Sequence, residues 1–146
     1  MRDALAWAVA EVSHEEIDEI NILNASFKAM HLALDKLDPV PELVLVDGNR
    51  FKPWRDVRFE CVVKGDGRFL SIAAASILAK THRDDLMNNL AREFAGYGWE
   101  TNVGYPTPEH REGIRQLGIT PYHRKSFTLL PQQLELFDEL NQDALQ

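Results

Sequence analysis

An aspartate follows a wholly apolar run in the first third of the chain. Residues 43–46 read Leu-Val-Leu-Val, and Asp47 comes directly after them. A carboxylate beside a hydrophobic core costs several kcal/mol unless it is paired or bound to a metal, so Asp47 is a candidate metal ligand. Asp47-Gly48 is also common turn chemistry, and a carboxylate that only caps this turn explains the residue equally well.

Two charged residues stand one helical turn apart in a helix predicted over residues 72 to about 95. Asp84 follows Lys80 by four residues, so both side chains can face the same way and serve one site. A solvated face that carries surface salt bridges is the better interpretation of these two residues alone.

An aromatic turn and a basic turn are candidates for contact with a nucleic acid. Tyr105 stands in a stiff Gly-Tyr-Pro turn, from which a ring can stack on a sugar or a base. Residues 124–126 read Arg-Lys-Ser, which supplies two cations and a hydroxyl suited to phosphate groups. An ordinary packing tyrosine and a basic surface turn remain open as alternatives.

Size, composition and charge limit the class of protein. The chain has 146 residues, 45% hydrophobic and 27% charged, which fits one domain with its own core. No apolar run approaches the roughly 20 residues that span a bilayer, so we expect a cytoplasmic protein without a membrane partner. The net charge of −7 argues against non-specific binding of nucleic acid over a whole face, but it allows a local basic groove. The lone Cys61 lies in an apolar stretch and is expected to be buried and inert.

Apolar patterns and capping residues predict an α/β fold. Strands are predicted over residues 5–12 (with a helix as the alternative), 43–46 and 58–63, and the apolar run 43–46 is expected to be buried on both faces. A capping box predicts a helix that starts at Ser13, with Glu16 reaching back to the Ser13 backbone. Further helices are predicted over residues 22–37, 72–95, 108–117 and 132–140. Ligands of such folds bind at the carboxyl ends of strands, where Asp47 stands.

Six segments, taken in order along nearly the whole chain, resemble ribonuclease HII, the type 2 ribonuclease H. Each segment alone is weak evidence, but their shared order is specific. The segments are Glu16-Ile17-Asp18-Glu19-Ile20-Asn21-Ile22-Leu23, Leu45-Val46-Asp47-Gly48-Asn49, Val63-Lys64-Gly65-Asp66, Ala73-Ala74-Ala75-Ser76-Ile77-Leu78-Ala79-Lys80 with Arg83-Asp84, Gly104-Tyr105-Pro106-Thr107, and His123-Arg124-Lys125-Ser126-Phe127.

The resemblance implies an endonuclease that hydrolyses the RNA strand of RNA/DNA hybrids and nicks DNA at embedded ribonucleotides. It implies Mg²⁺ or Mn²⁺ held by four carboxylates, of which Asp47 and Asp84 match two. Tyr105 matches the tyrosine that packs against the sugar at the RNA–DNA junction. The remaining residues that we expect to contact substrate are Arg124, Lys125, Ser126, Lys80 and Asn49.

The resemblance also implies a ribonuclease H-like mixed sheet flanked by helices. We expect a single partial domain over residues 1–146, with a helical substrate-contacting part over about 107–146, and a monomer when complete. The family's opening strand, which carries Asp-Glu-x-Gly-Arg-Gly and the other two carboxylates, has no match here. We therefore expect a chain truncated at its N-terminus, marginally stable and inactive, in which the strand over residues 5–12 pairs directly with 43–46. The alternatives are a non-catalytic module that binds hybrids and an α/β domain with an unrelated ligand.

Overall fold

The computed structural model describes residues 4–126 and 129–130. The chain forms two compact units, Met1–Asp85 and Leu86–Gln146, and each is described by itself. The expected single domain with a C-terminal part from about residue 107 stays a prediction. The predicted helix over residues 132–140 and the last residue of the basic segment, Phe127, lie outside the described residues.

Helix α1 (His14–Asp35) opens the regular structure of the first unit. Ser13 caps it as predicted, because its Oγ accepts the Glu16 backbone N–H at 3.3 Å. The Glu16 carboxylate bonds to the Lys28 ammonium, where the capping box predicted a bond to the Ser13 backbone. Lys28 lies 12 residues after Glu16, so a capping-box motif of four residues cannot reveal this pair.

An asparagine divides α1 into the two helices that the sequence predicts. Asn21 has a φ of 67° and a ψ of 163°, outside the helical region. Its Oδ1 accepts the backbone N–H groups of Leu23 and Asn24, each at 3.1 Å, and so caps the second half of α1.

Two parallel strands form the sheet of the described residues. β1 (Leu43–Asp47) pairs with β2 (Arg58–Val62), with Leu43 opposite Arg58 and Asp47 opposite Val62. This confirms the α/β class. Val46 and Val62 are the buried members of the two strands, so the expected burial of 43–46 on both faces is wrong, as is the expected burial of Cys61. An apolar strand becomes buried only where other elements cover both of its faces.

The strand predicted over residues 5–12 is absent. Residues 6–13 have no regular secondary structure, and the Leu5 side chain is 93% exposed. In the described residues β1 is hydrogen-bonded to β2 alone, so the expected direct pairing of 5–12 with β1 is also wrong. Apolar and β-branched residues favour a strand, but a strand forms only where a neighbouring strand pairs with its backbone N–H and C=O groups.

Three further helices follow the sheet. A short 3-10 turn, Gly65–Gly67, leads into α2 (Leu70–Glu93), which begins two residues before its predicted start. The short helix α3 (Trp99–Asn102) was not predicted, whereas α4 (Pro108–Leu117) has its predicted bounds. Thr107 Oγ1 accepts the His110 backbone N–H at 3.2 Å, which confirms the predicted cap of α4. No helix among the described residues is both long and apolar enough to cross a membrane.

Aromatic rings build the core of the second unit. Leu90, Tyr97, Trp99 and Ile114 form one buried cluster. The buried rings of His110 and His123 stack with centroids 5.2 Å apart and planes 14° from parallel. Trp99 Nε1–H donates to His110 Nδ1 at 3.1 Å, so this histidine belongs to the core.

Candidate active site

Asp47 is the last residue of β1, and its carboxylate is fixed by a backbone group distant in sequence. Asp47 Oδ1 accepts the Gly65 N–H at 2.8 Å. The next residue, Gly48, has a φ of 111° and donates its N–H to the Val62 carbonyl at 3.0 Å, which extends the β1–β2 pairing into the turn. Asp47 is exposed, and its Oδ2 accepts no hydrogen bond within the described part of the chain. One carboxylate oxygen of Asp47 is thus held by the backbone, and the residue as a whole is open to solvent.

Close packing at Gly65 produces this arrangement. Gly65 is buried, and a Cβ built there would lie 2.6 Å from Ile72 Cδ1 and 3.4 Å from Val62 Cβ. Lys64 enters the turn with a φ of 55°, in the left-handed region. The end of β2, the 3-10 turn and the first turns of α2 therefore meet around a position where a Cβ would displace the end of the Ile72 side chain.

Gly65→Ala is expected to destabilise the chain by about 1–3 kcal/mol, because the new methyl group overpacks the contact with buried Ile72. Urea unfolding measures the effect. Adding Ile72→Val removes the clashing Cδ1, so the double variant should be more stable than the sum of the single changes predicts. Gly67→Ala is the matched control, since a Cβ at that position meets nothing within 4 Å. Equal stabilities of the two alanine variants would contradict this account.

The remaining predicted residues of the first unit lie on α2 and after β1. Asp84 is half-buried, whereas Lys80 and Asn49 are exposed. No hydrogen bond joins Asp47 to Asp84 or Lys80 among residues 4–126 and 129–130. The structure thus joins Asp47 to the segment Val63–Asp66 through the hydrogen bond from Gly65. That Asp47 and Asp84 bind the same metal stays a prediction.

The donor chemistry of these residues suits the metal that the resemblance implies, but their number does not complete a site. Carboxylate oxygens are preferred by Mg²⁺ and are suited to Mn²⁺. In the described part of the chain, no three His, Cys, Asp or Glu side chains lie close enough together to hold a metal ion. The described residues therefore supply at most two carboxylates, and no catalytic step through a metal follows from them.

Tyr105 projects from a tightly bonded turn in the second unit. Its side chain is 64% exposed. Its backbone N–H donates to the Asn102 carbonyl at 2.8 Å, and its carbonyl accepts the Thr107 N–H at 2.8 Å. Val103 and Gly104 before it have φ angles of 44° and 83°, both in the left-handed region. The ring is presented by a turn that two backbone hydrogen bonds hold.

Asn102 is the positioning residue that the sequence analysis missed. It is buried, its Nδ2 donates to the Tyr97 carbonyl at 2.8 Å, and its Oδ1 accepts the Gly104 N–H at 2.9 Å. The turn that carries Tyr105 is thereby tied to the aromatic core of the second unit. An Asn shortly before a Gly-x-Pro turn is a local signal for such a role.

The basic segment follows a buried anchor in the same unit. The backbone N–H of Thr120 donates to His123 Nδ1 at 3.0 Å, which fixes the ring just before the segment. Arg124 is half-buried, and Lys125 and Ser126 are exposed. These three residues are therefore placed at the surface, as contact with a phosphate backbone requires.

Known proteins similar to this chain point to one family. The family model for Ribonuclease HII matches residues 2–130. A protein from Parabacteroides distasonis called Ribonuclease HII is 65% identical over 135 residues, which cover 92% of this chain and 68% of that protein. One from Bacteroides fragilis with the same name is 62% identical over 139 residues, covering 94% of this chain and 69% of the relative. The chain thus spans about two thirds of the length of these relatives.

A solved structure shows the same fold at low sequence identity. Ribonuclease H2 from Pyrococcus horikoshii OT3 superposes with a TM-score of 0.68 at 24% identity, covering 88% of this chain and 68% of that one. The similarity of fold agrees with the matches in sequence. The chain belongs to the ribonuclease HII family, whose members are endoribonucleases that depend on a divalent metal.

Proposed function

We propose that Asp47 and Asp84 are metal ligands for hydrolysis of the RNA strand of RNA/DNA hybrids and for nicking at ribonucleotides embedded in DNA. The family acts on RNA/DNA hybrids, and the chain carries an RNase H-type nuclease sequence. The observation that carries the proposal is the Asp47 carboxylate, held through Oδ1 by Gly65 at the end of β1. A carboxylate whose orientation is already fixed loses little freedom when it binds Mg²⁺ or Mn²⁺.

Substrate contacts are proposed for residues of each unit, taken separately. Tyr105 offers an exposed ring on a rigid turn, which suits packing against the sugar at the RNA–DNA junction. The other assigned contacts have charged or polar surface side chains that suit phosphate or sugar oxygens: Lys80, Asn49, Arg124, Lys125 and Ser126.

A second candidate function is binding of hybrids without cutting. The specific observation in its favour is that the described residues bring no three potential ligand side chains together. Two carboxylates do not hold two metal ions in the geometry that phosphodiester hydrolysis needs. We therefore propose that the 146-residue chain binds a ribonucleotide-containing duplex and does not cleave it.

The test uses the purified 146-residue chain and a labelled duplex with one embedded ribonucleotide, in Mg²⁺ or Mn²⁺. We expect binding without cleavage. Tyr105→Ala should weaken binding by about fivefold to a hundredfold, which is the loss of about 1–3 kcal/mol of stacking. An all-DNA duplex of the same sequence is the matched control and should bind more weakly.

Two results would overturn these assignments. Metal-dependent cleavage of the labelled duplex would remove the binding-only candidate, and Asp47→Asn should then abolish that activity. Activity that survives Asp47→Asn would remove Asp47 from the metal site. Binding that is equal for the all-DNA duplex and unaffected by Tyr105→Ala would contradict recognition of the hybrid itself.

A further inference from the structure

A groove of about 410 Å³ lies in the first unit, beside the second half of α1. We call it the α1 groove. It is lined by residues from α1 and from the segment after β1, namely Ile20, Asn24, Phe27, Lys28, His31, Leu32 and Lys52.

The charge of the α1 groove is opposite to that of the whole chain. Its charged lining residues are Lys28 and Lys52, and no carboxylate is among the residues that line it. The whole chain carries a net charge of −7, so the groove is locally positive on a protein that is negative as a whole. A concave surface lined by charge of one sign raises the local concentration of ligands of the other sign. The groove therefore favours an anion.

The Lys52 ammonium is held in position at the groove. Its Nζ donates to Asn24 Oδ1 at 2.8 Å and lies 5.7 Å from the centroid of the Phe27 ring. His31 Nε2 lies 3.0 Å from the Lys52 carbonyl, a distance at which the ring N–H donates to that oxygen. An ammonium has three donors, so two remain for a ligand after the bond to Asn24. Because Lys52 is already ordered, binding costs less side-chain entropy.

Lys28 is held by a competing anion from the same helix. It is paired with the Glu16 carboxylate, which does not itself line the groove. This pair is partly exposed, so it contributes little to stability and can be exchanged for another anion. Glu16 thus reduces the positive charge that Lys28 offers to a ligand.

The floor of the α1 groove is apolar. Phe27 is 8% exposed and lies beneath the Lys52 ammonium, so the accessible apolar lining comes mainly from the half-buried Ile20 and Leu32. A bare inorganic anion would leave this floor uncovered. A ligand with a flat, weakly polar group beside an anionic group matches both the apolar and the cationic residues of the lining. Each nucleotide of a strand has this combination, a base beside a phosphate.

We propose that the α1 groove binds single-stranded nucleic acid, with phosphates at Lys28 and Lys52 and a base against the apolar floor. The proposal rests on the proposed function in one respect, namely that the ligand is a nucleic acid. An acidic peptide would satisfy the two lysines, but it carries no flat ring next to each charge. The groove would hold a strand that continues beyond the paired region of a substrate.

The test is fluorescence anisotropy of the 146-residue chain with labelled oligodeoxythymidylate of eight nucleotides. Lys52→Gln and Lys28→Gln should each weaken binding about five- to tenfold. Each should also lower the slope of log affinity against log salt by about 0.7, the value for one phosphate contact of a single strand. Glu16→Gln should strengthen binding, because it releases Lys28. Lys36→Gln, which removes a cation outside the groove, is the matched control and should change neither quantity.

The outcomes separate this inference from the proposed function. If the groove variants bind oligothymidylate as Lys36→Gln does, the groove is not a site, whatever a hybrid duplex shows. If oligothymidylate binding depends on Lys52 while the hybrid is not bound, the inference stands and the proposed function fails. Hexaglutamate that binds with the same dependence on Lys52 and the same affinity would overturn the assignment to nucleic acid. Circular dichroism melting confirms that each variant is folded.

Discussion

Asp47→Ala is expected to destabilise the chain by about 1–3 kcal/mol, whereas Asp47→Asn is expected to leave stability nearly unchanged. The alanine removes the oxygen that accepts the N–H of buried Gly65 and leaves that donor without its partner. The asparagine keeps an acceptor oxygen at the same position and loses only the charge. Urea unfolding of both variants measures the difference.

The same two variants separate the structural role of Asp47 from its proposed role as a ligand. Mn²⁺ binding to the chain, read from water-proton relaxation, should be weakened equally in both, because an amide is a poor substitute for a charged carboxylate. Asp66→Ala is the matched control for the loss of a carboxylate that accepts a backbone N–H. Asp66 Oδ1 accepts the Gly67 N–H at 2.9 Å, but this bond is exposed, so water replaces it and stability should change little. Mn²⁺ bound as tightly by Asp47→Asn as by the unchanged chain would exclude Asp47 as a ligand.

Gly113→Ala is expected to destabilise the second unit by about 3 kcal/mol, which lowers the melting temperature by about 10 °C. A Cβ at Gly113 would lie 2.4 Å from the Gly96 carbonyl oxygen and 3.1 Å from Tyr97 Cα. Alanine is intrinsically favoured over glycine in a helix by about 1 kcal/mol, but here the clash is with backbone, which does not move aside as a side chain does. Thermal melting by circular dichroism measures the result.

The control for Gly113→Ala is another alanine on the same helix. Gln116 is exposed on α4, and its side-chain amide donates a hydrogen bond of 2.9 Å to the Glu112 carboxylate. Gln116→Ala should change stability by no more than about 0.5 kcal/mol. A Gly113→Ala chain as stable as the control would mean that α4 does not pack on the Gly96–Tyr97 backbone as described.

The Tyr105 turn was predictable from the sequence only in part. The Gly-Tyr-Pro spacing predicts an exposed ring, and the structure confirms the exposure. It does not reveal that Asn102 ties the turn to the Tyr97 carbonyl, five residues back, because the sequence marks Asn102 as a turn residue without marking its partner. The stacked pair His110 and His123 is a further case, since 13 residues separate two rings whose contact is decided by packing.

Elements set by neighbouring residues were predictable from the sequence. The bounds of α4, the Thr107 and Ser13 caps and the place of Asp47 at the end of β1 all follow from groups within about one helical turn or one strand. The order of the six segments also sufficed to identify the ribonuclease HII family, because their residue types and sequence are specific to it.

The tertiary structure decided what depends on distant partners. Residues 5–12 have the composition of a strand, yet form none, because no neighbouring strand among the described residues pairs with them. Cys61 is exposed because burial depends on what covers β2 rather than on the apolar residues beside it. The Asp47 carboxylate is oriented by Gly65, 18 residues later, and a Cβ at Gly65 would meet the end of the Ile72 side chain. The candidate site residues could therefore be recognised in the sequence from their chemistry. The hydrogen bonds and contacts that orient them arise only when distant segments fold together.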